Sequence, residues 1–413
     1  MTESIMVLRN ACFGRNRWLK VLLKISFVSI IVIFGAEALS SYFDIRRRIT
    51  MHLDKLGMRL FFKSTKPENK TRYGHIHREN ISHAPIDSIY AIADGFEPDV
   101  VRDFPSVEGA ENRIPRIMHQ MWISDENDND TSDMINVPTQ FEASVKSFFN
   151  MHSQADWNYM FWDRKKARSL ISERYKWFLA VFDSYMENII KGDVLRYIVL
   201  YEFGGVYADL DLTFLRPLNR VTVKYPCVLT LEPFEHPVFN SGQPYRLNNN
   251  LIFCRPKHPF MKYLIDNLPY ARMMVHSLDI SGPSFISMCY LMYSNISKDE
   301  MFHASQMKHL DGVEPFLYKG RQQFREEDSL YLANTQYFSL PVANADNGKC
   351  STDRTSSLVQ RMCAYLKKRS FVRTLNMFTF TKHAWANSNV SPKRFMKTVK
   401  LNKSLLWNKT VSN

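Results

Sequence analysis

The sequence predicts an α/β body built on a mostly parallel sheet covered by helices, with a transmembrane helix near its N-terminus. Three observations predict it. Apolar, strand-like runs alternate with segments of helical spacing. A Gly-Gly pair stops one predicted helix directly before a buried strand, and an uncharged apolar run follows a cluster of cations near residue 25.

That first run sets the topology. Arg9, Arg15, Arg17, Lys20 and Lys24 precede Ile25–Ala36, a stretch of 12 uncharged residues. A bilayer span takes ~20 residues. Lys24 can snorkel, and Leu39 to Phe43 can lengthen the run with Glu37 at the far interface. The positive-inside rule then leaves 1–24 as a cytosolic tail, 25–43 as a signal anchor and the remainder in the secretory lumen, a single-pass type II arrangement. Ala36-Glu37-Ala38 is also a small-x-small cleavage pattern, so removal as a signal peptide is the alternative. Seven N-x-[ST] sequons, at Asn69, Asn80, Asn129, Asn295, Asn389, Asn402 and Asn408, all follow the apolar run. Of six cysteines only Cys12 precedes it. Cys350 with Cys363, or Cys227 with Cys254, could pair in the lumen; buried thiols are the alternative, and no pair has zinc-site spacing.

Residues 44–110, polar and weakly periodic, read as a stem. The body, 111–390, opens on the apolar run Ile114–Ile123. An acidic, Asn-rich loop over 124–139 follows, then a short helix over Phe141–Phe149. The aromatic run Trp157–Trp162 predicts a second buried strand, and helical spacing resumes over Lys165–Leu179. Residues 391–413 read as a basic tail. The formal net charge of +13 is unevenly spread: +8 over 1–66, −7 over 67–360 and +12 over 361–413. A mildly acidic body between basic ends excludes a uniformly basic nucleic-acid-binding surface, so no nucleic acid is expected as a partner. Phe371, Phe378, Phe380 and Trp407 interleave the C-terminal cations, but a solvated face or one near anionic lipid suits a lumenal segment better.

Residues 191–218, KGDVLRYIVLYEFGGVYADLDLTFLRPL, hold the most chemistry. Asp193 and Arg196 sit three apart and share a side of the helix that Val194, Leu195, Ile198 and Val199 bury. Gly204-Gly205 ends that helix and admits close backbone approach. A strand over Val206–Leu210 follows, and alternation predicts that Asp209 and Asp211 share one face of extended chain. Two carboxylates at the end of a buried strand need a cation or hydrogen bonds, and a divalent metal bridged to a nucleotide diphosphate supplies both; a surface strand end is the alternative. Asp128-Asn129-Asp130 repeats the pattern in a solvated loop and is given no catalytic role.

The pattern D-x-x-R-x-x-x-L-x-x-x-G-G-x-Y-x-D-x-D, filled by Asp193, Arg196, Leu200, Gly204, Gly205, Tyr207, Asp209 and Asp211, resembles the DXD region of glycosyltransferase family 32. That family includes yeast α-1,6-mannosyltransferases and mannosyl-inositol-phosphoceramide synthases. Ile114–Trp122 is similar to its I-P-K-x-I-H-Q-x-W opening strand. Asn250-Leu251-Ile252, Lys257-His258-Pro259-Phe260, Ser281-Gly282-Pro283 and, more loosely, residues 382–388 extend the resemblance over about 113–390. It implies a GT-A fold and metal-dependent, retaining transfer from a nucleotide sugar. Trp122 would stack on the base, with the strand around His119 lining the nucleotide site. Asp193 and Arg196 would hold the donor sugar and diphosphate. Asp209 would reach ribose or the metal through water, Asp211 would ligate it, and His383, with Trp385 nearby, would meet metal or phosphate. Asn250 would lie beside donor sugar and acceptor.

Structural roles compete with these. Trp122 could be plain core, Arg196 a mere partner of Asp193, and His119 a hydrogen-bonded scaffold residue. Carboxylates and water suit Mn²⁺ or Mg²⁺ better than zinc. The expected enzyme is a hexosyltransferase of the Golgi or endoplasmic reticulum membrane with a glycan or glycolipid acceptor. Mannose from GDP-mannose is favoured, with UDP-galactose or UDP-N-acetylglucosamine in an α-1,4-transferase as the alternative. A rival of another class is a non-catalytic sugar-binding protein that kept the fold.

Overall fold

The computed structural model describes residues 99–106, 109, 111–124, 134–233, 236–237, 246–294, 317–318, 325–339, 360, 375–386 and 397–408. The signal anchor, nearly all of the stem and the sequons at Asn69, Asn80, Asn129, Asn295 and Asn389 lie outside them. So do Asp128-Asn129-Asp130, Cys12, Cys350 and Cys363. Among the described residues no helix is long and apolar enough to cross a membrane.

Eleven strands are described: β1 Ile117–Met121, β2 Met134–Pro138, β3 Asn158–Trp162, β4 Gly205–Ala208, β5 Leu212–Phe214, β6 Cys227–Leu231, β7 Leu247–Cys254, β8 Leu317–Tyr318, β9 Leu330–Ala333, β10 Thr381–His383 and β11 Thr398–Asn402. The six longer helices are α1 Glu142–Met151, α2 Arg164–Arg174, α3 Lys176–Ser184, α4 Asn188–Phe203, α5 Pro259–Ala271 and α6 Pro283–Tyr293. The main sheet runs β3-β1-β4-β7-β6-β9-β8. Strands β3, β1, β4, β6 and β9 share one direction, and β7 and β8 oppose it. The expected mostly parallel sheet is therefore present, with one reversed strand at its centre.

Period-two alternation explains the two cores. Tyr207 of β4, Leu229 of β6, Ile252 of β7 and Leu332 of β9 join a cluster with Val194, Leu195, Ile198, Leu264 and Phe285 of the helices. Their chain neighbours Val206, Val228, Phe253 and Tyr331 face the other side, with Phe148, Trp157 and Phe338. Both faces of the sheet are covered, so its strands read as near-continuous apolar runs. Helix α4, packed between the sheet and α5, is buried without a break from Gly192 to Leu200.

Gly204 (φ 64°) and Gly205 (φ 99°) then do what the sequence required of them. A side chain on Gly204 would meet Pro256 at 2.5 Å, and one on Gly205 would overlap the Ile117 carbonyl. The pair lets the chain leave α4 and enter β4 in the slot between β1 and β7.

Four local readings change. The segment read as one helix over Lys165–Leu179 breaks at Tyr175, giving α2 and α3. The loop read over 124–139 contains β2. The strand read over Val206–Leu210 stops at Ala208. Residues 398–408, read as part of a basic tail, pair as β11 antiparallel to β2, and Leu401, Leu406 and Trp407 are buried in the second core. Phe380 is buried there as well. Apolar residues between the cations outweigh the charge, since lysines can point outward from a strand and helix whose other sides are covered.

Cys227 and Cys254 face each other across β6 and β7 and form a disulfide, one of the two pairings the sequence left open. Cys289 is a free, buried thiol.

Candidate active site

The site lies where β4 ends. Asp209-Leu210-Asp211 is a turn, not extended chain: the Leu212 amide bonds back to the Asp209 carbonyl at 3.3 Å before β5 begins. The two carboxylates take different protein partners, yet the charge of Asp211 still acts on Asp209. Asp209 accepts from the Tyr207 hydroxyl and lies 3.4 Å from Arg196. Asp211 lies 3.3 Å from His383 Nε2 and accepts from the Ala386 amide at 2.9 Å.

Helix α4 supplies the Asp193–Arg196 pair, 2.8 Å apart and both nearly inaccessible. Arg196 also donates to the Asn249 carbonyl and sits 4.5 Å over the Tyr207 ring. Asp193 accepts from Asn249 Nδ2 and Ser281 Oγ, each at 2.9 Å. Burial pushes the Asp193 carboxyl up to about 6, against the pull of Arg196. Burial likewise raises Asp209, opposed by Arg196 and reinforced by Asp211. At Asp211 burial also pushes upward, but His383 and the hydrogen bonds outweigh it and hold the carboxyl below its ordinary value. His383 responds in kind, since Asp211 more than offsets the effect of burial and raises its imidazole.

His383 arrives from 170 residues away in sequence through β10, which pairs antiparallel with β5 and sets His383 opposite Leu212. Its Nδ1 is 3.0 Å from Asn250 Nδ2. Either orientation of that amide can pair with the ring. With Nδ2 donating, His383 Nε2 carries the proton and donates to Asp211. With Oδ1 accepting, Nδ1 carries it and the Nε2 lone pair is left for a cation shared with Asp211. Three buried polar atoms here lack a protein partner: Arg196 Nε, Asn248 Nδ2 and Asn250 Oδ1.

The residues fit a divalent cation on charge. Two buried carboxylates, Asp193 and Asp211, and the partly exposed Asp209 gather with one permanent cation, Arg196. That imbalance is costly without further positive charge. Asp211 and His383 would be the inner ligands of such a cation, while Asp209 is already held by Arg196 and Tyr207. The only three-residue group among the described residues whose donor atoms converge within 4.8 Å is Cys227, Cys254 and His258. Two of those are in the disulfide, and His258 Nδ1 accepts from the Phe260 amide, so we assign no metal there.

The remaining expected residues divide. Trp122 follows β1 at its C-terminal end and is partly exposed, with its ring 6.3 Å from Phe141. Ligands favour that end of the parallel strands in α/β sheets. His119 is fully buried, its Nε2 donating to the Gly204 carbonyl at 2.9 Å and its Nδ1 accepting from Trp162 at 3.2 Å. Burial lowers its pKa to about 4. With both nitrogens engaged it is a scaffold residue that pins the Gly-Gly turn, and it does not reach the site. Asn402 accepts from the Leu405 amide and is half-buried.

Sequence reasoning placed Trp385 near His383 but missed Asn249 and, beside that pair, His236, Glu232 and Arg246. Trp385, in the left-handed region at φ 51°, places its ring 3.8 Å from that of His383 and 4.1 Å from that of His236. Glu232 pairs with Arg246 at 2.8 Å alongside. Three consecutive asparagines inside the otherwise apolar strand LNNNLIFC were the available signal, because buried amides require partners.

Comparison with known proteins decides what kind of site this is. Residues 138–228 match the family described as "Glycosyltransferase sugar-binding region containing DXD motif". That segment is similar to a glycosyltransferase sugar-binding region. The match agrees with the resemblance carried by the Asp193-to-Asp211 pattern. The chain is also similar to curated fungal proteins. Inositol phosphoceramide mannosyltransferase 1 of Schizosaccharomyces pombe is 32% identical over 199 residues, 47% of this chain and 56% of the relative. A mannosyl phosphorylinositol ceramide synthase of Saccharomyces cerevisiae is 28% identical over 193 residues, 45% and 44% of the two chains. The chain thus spans about half the length of the curated relatives it matches. Among solved structures, PaToxG glycosyltransferase aligns with a TM-score of 0.33 and 14% identity, over 53% of this chain and 79% of that one. Glycosyltransferase GlyE of Streptococcus pneumoniae aligns with 0.33 and 12%, over 72% and 64%.

Proposed function

We propose that this chain is a metal-dependent, retaining hexosyltransferase of GT-A type. On this reading it moves mannose from GDP-mannose to a glycolipid acceptor, with its body in the Golgi or endoplasmic reticulum lumen and residues 25–43 as the membrane anchor. The observation that carries it is the gathering of Asp209, Asp211 and Arg196, which lie within the DXD-family match, with Asn250 and His383, which lie beyond it, at the C-terminal end of β4. The names of the fungal relatives support mannose and a sphingolipid acceptor.

Cleavage of the anomeric bond leaves negative charge on the bridging phosphate oxygen. Mn²⁺ or Mg²⁺ held by Asp211 and His383 would stabilise that charge. Arg196, fixed by Asp193 and the Asn249 carbonyl, adds a cation that needs no rearrangement during the reaction. Asn250 orients His383 and turns its other amide atom toward the sugar. No side chain is committed as a nucleophile, so same-face attack with the departing phosphate as base is favoured. Trp122 offers an exposed face for the nucleobase.

A thermal-shift panel of GDP, UDP and their sugars with Mn²⁺ tests the donor: GDP-mannose should stabilise the chain most. Asp211→Ala should lower donor turnover by about 10²–10³-fold, as loss of a charge-stabilising group does, with the melting temperature retained. Full activity in that variant would remove Asp211 from the metal site.

A further inference from the structure

The chain between α5 and α6 is unusually apolar for a surface. Met273 is 76% exposed, Val275 44% and Leu278 43%, all within a few residues of the exposed Arg272. Met186, between α3 and α4, is 93% exposed. Its neighbour Tyr185 donates to the Leu268 carbonyl of α5 at 3.4 Å, so the two segments meet in the same region. Scattered exposed hydrophobics are ordinary on a protein surface, but four gathered in adjoining turns call for an occupant.

Two connections tie this surface to the active site. The short helix Ser277–Ile280 packs against α4, and Ser281, which follows it, donates to Asp193. On the other side, Met186 precedes α4, whose first residue lies about 7.5 Å along the helix axis from Asp193 at 1.5 Å rise per residue. The apolar residues therefore flank the end of the helix that carries the Asp193–Arg196 pair.

We infer that Met186, Met273, Val275 and Leu278, with Arg272, form a membrane-contacting lip that seats the site against the lipid surface holding its acceptor. This rests on the glycolipid-acceptor reading above. The occupant follows from the chemistry. Flexible methionines and branched aliphatics enter the acyl boundary, while an arginine among them meets lipid phosphate, the pattern of interfacial segments. Within residues 272–280 the one carboxylate, Asp279, is half-buried, and Glu187 beside Met186 is the exposed acid at the edge of the lip. An acceptor whose tails stay in the bilayer needs the site within reach of the headgroups, and this lip adjoins the site directly.

The test uses the full chain reconstituted in phosphatidylcholine–phosphatidylinositol vesicles containing a photoactivatable phosphatidylcholine. Cross-links outside residues 25–43 should map to peptides containing Met186 and residues 272–278. The triple variant Met273→Asp, Val275→Asp, Leu278→Asp should lose them. It should also transfer sugar to a vesicle-borne acceptor about tenfold more slowly, while hydrolysis of soluble donor is unchanged, because only interfacial contact is removed. Cross-links confined to 25–43, or unaltered transfer in the triple variant, overturn the inference. So does a detergent-stable dimer that the substitutions abolish, which would make this a face for a second copy. Cross-links at the lip in a chain that hydrolyses no donor would sink the proposed function and leave the lip standing; hydrolysis without those cross-links would do the reverse.

Discussion

Asp193 is an acid whose protonation opposes its use. Burial raises its carboxyl from 3.8 to about 6, so between those values the folded chain binds a proton that the unfolded chain does not. The stability this group contributes is fully present below pH 3.8 and is lost as pH rises through about 6. Its pairing with Arg196 needs the ionised form, so donor turnover should fall on acidification below about pH 6. Asp193→Asn isolates the effect: the melting temperature of the wild type relative to the variant should increase as pH is lowered from 6 to 4. A pH-independent difference would show that Asp193 titrates at its ordinary value. At this scale the grouping of Asp193, Arg196 and Asp209 was legible in their spacing. The partners Asn249 and Ser281 were not, because they come from separate elements, whereas His383 entered only through the loose resemblance of residues 382–388.

Among the elements, the α4–β4 junction carries the strongest sequence signature and the tightest geometry. A helix buried on all sides must stop abruptly if β4 is to enter the sheet, and two consecutive positive φ angles accomplish this only with glycine. Gly205→Ala should destabilise the chain by about 3 kcal/mol through backbone strain and overlap with Ile117, measured by urea unfolding. It should also lower activity, because Asp209 and Asp211 follow directly. The helix stop and the strand were readable from composition and period. The conversion of Asp209–Asp211 into a turn was not. Alternation describes an isolated extended chain, whereas the Leu212-to-Asp209 bond and the pairing of β5 with β10 bend the strand after Ala208.

Across the whole molecule, charge gave an incomplete picture of the C-terminus. Twelve cations and no carboxylates after residue 360 suggested a solvated tail, yet β11 pairs with β2 and Trp407 lies 4.7 Å from the Phe149 ring. Trp407→Ala should therefore cost about 3–5 kcal/mol of unfolding free energy, the range for emptying a buried tryptophan site; a dangling tail would give no change. The same closure makes the site: residues 375–386 return to β5 and carry His383 to Asp211.

The sequence by itself determined the α/β alternation, the Gly-Gly junction and the acidic-cationic motif, since each depends on periodicity or on residue types within one short segment. Only the tertiary structure decided that His119 is scaffold, that Asp209 and Asp211 sit in a turn with different partners, that Asn249 joins Asp193 and that the C-terminal strand belongs to the body. Those are contacts between residues far apart in the chain, and no local pattern encodes which distant partner a buried polar group will find.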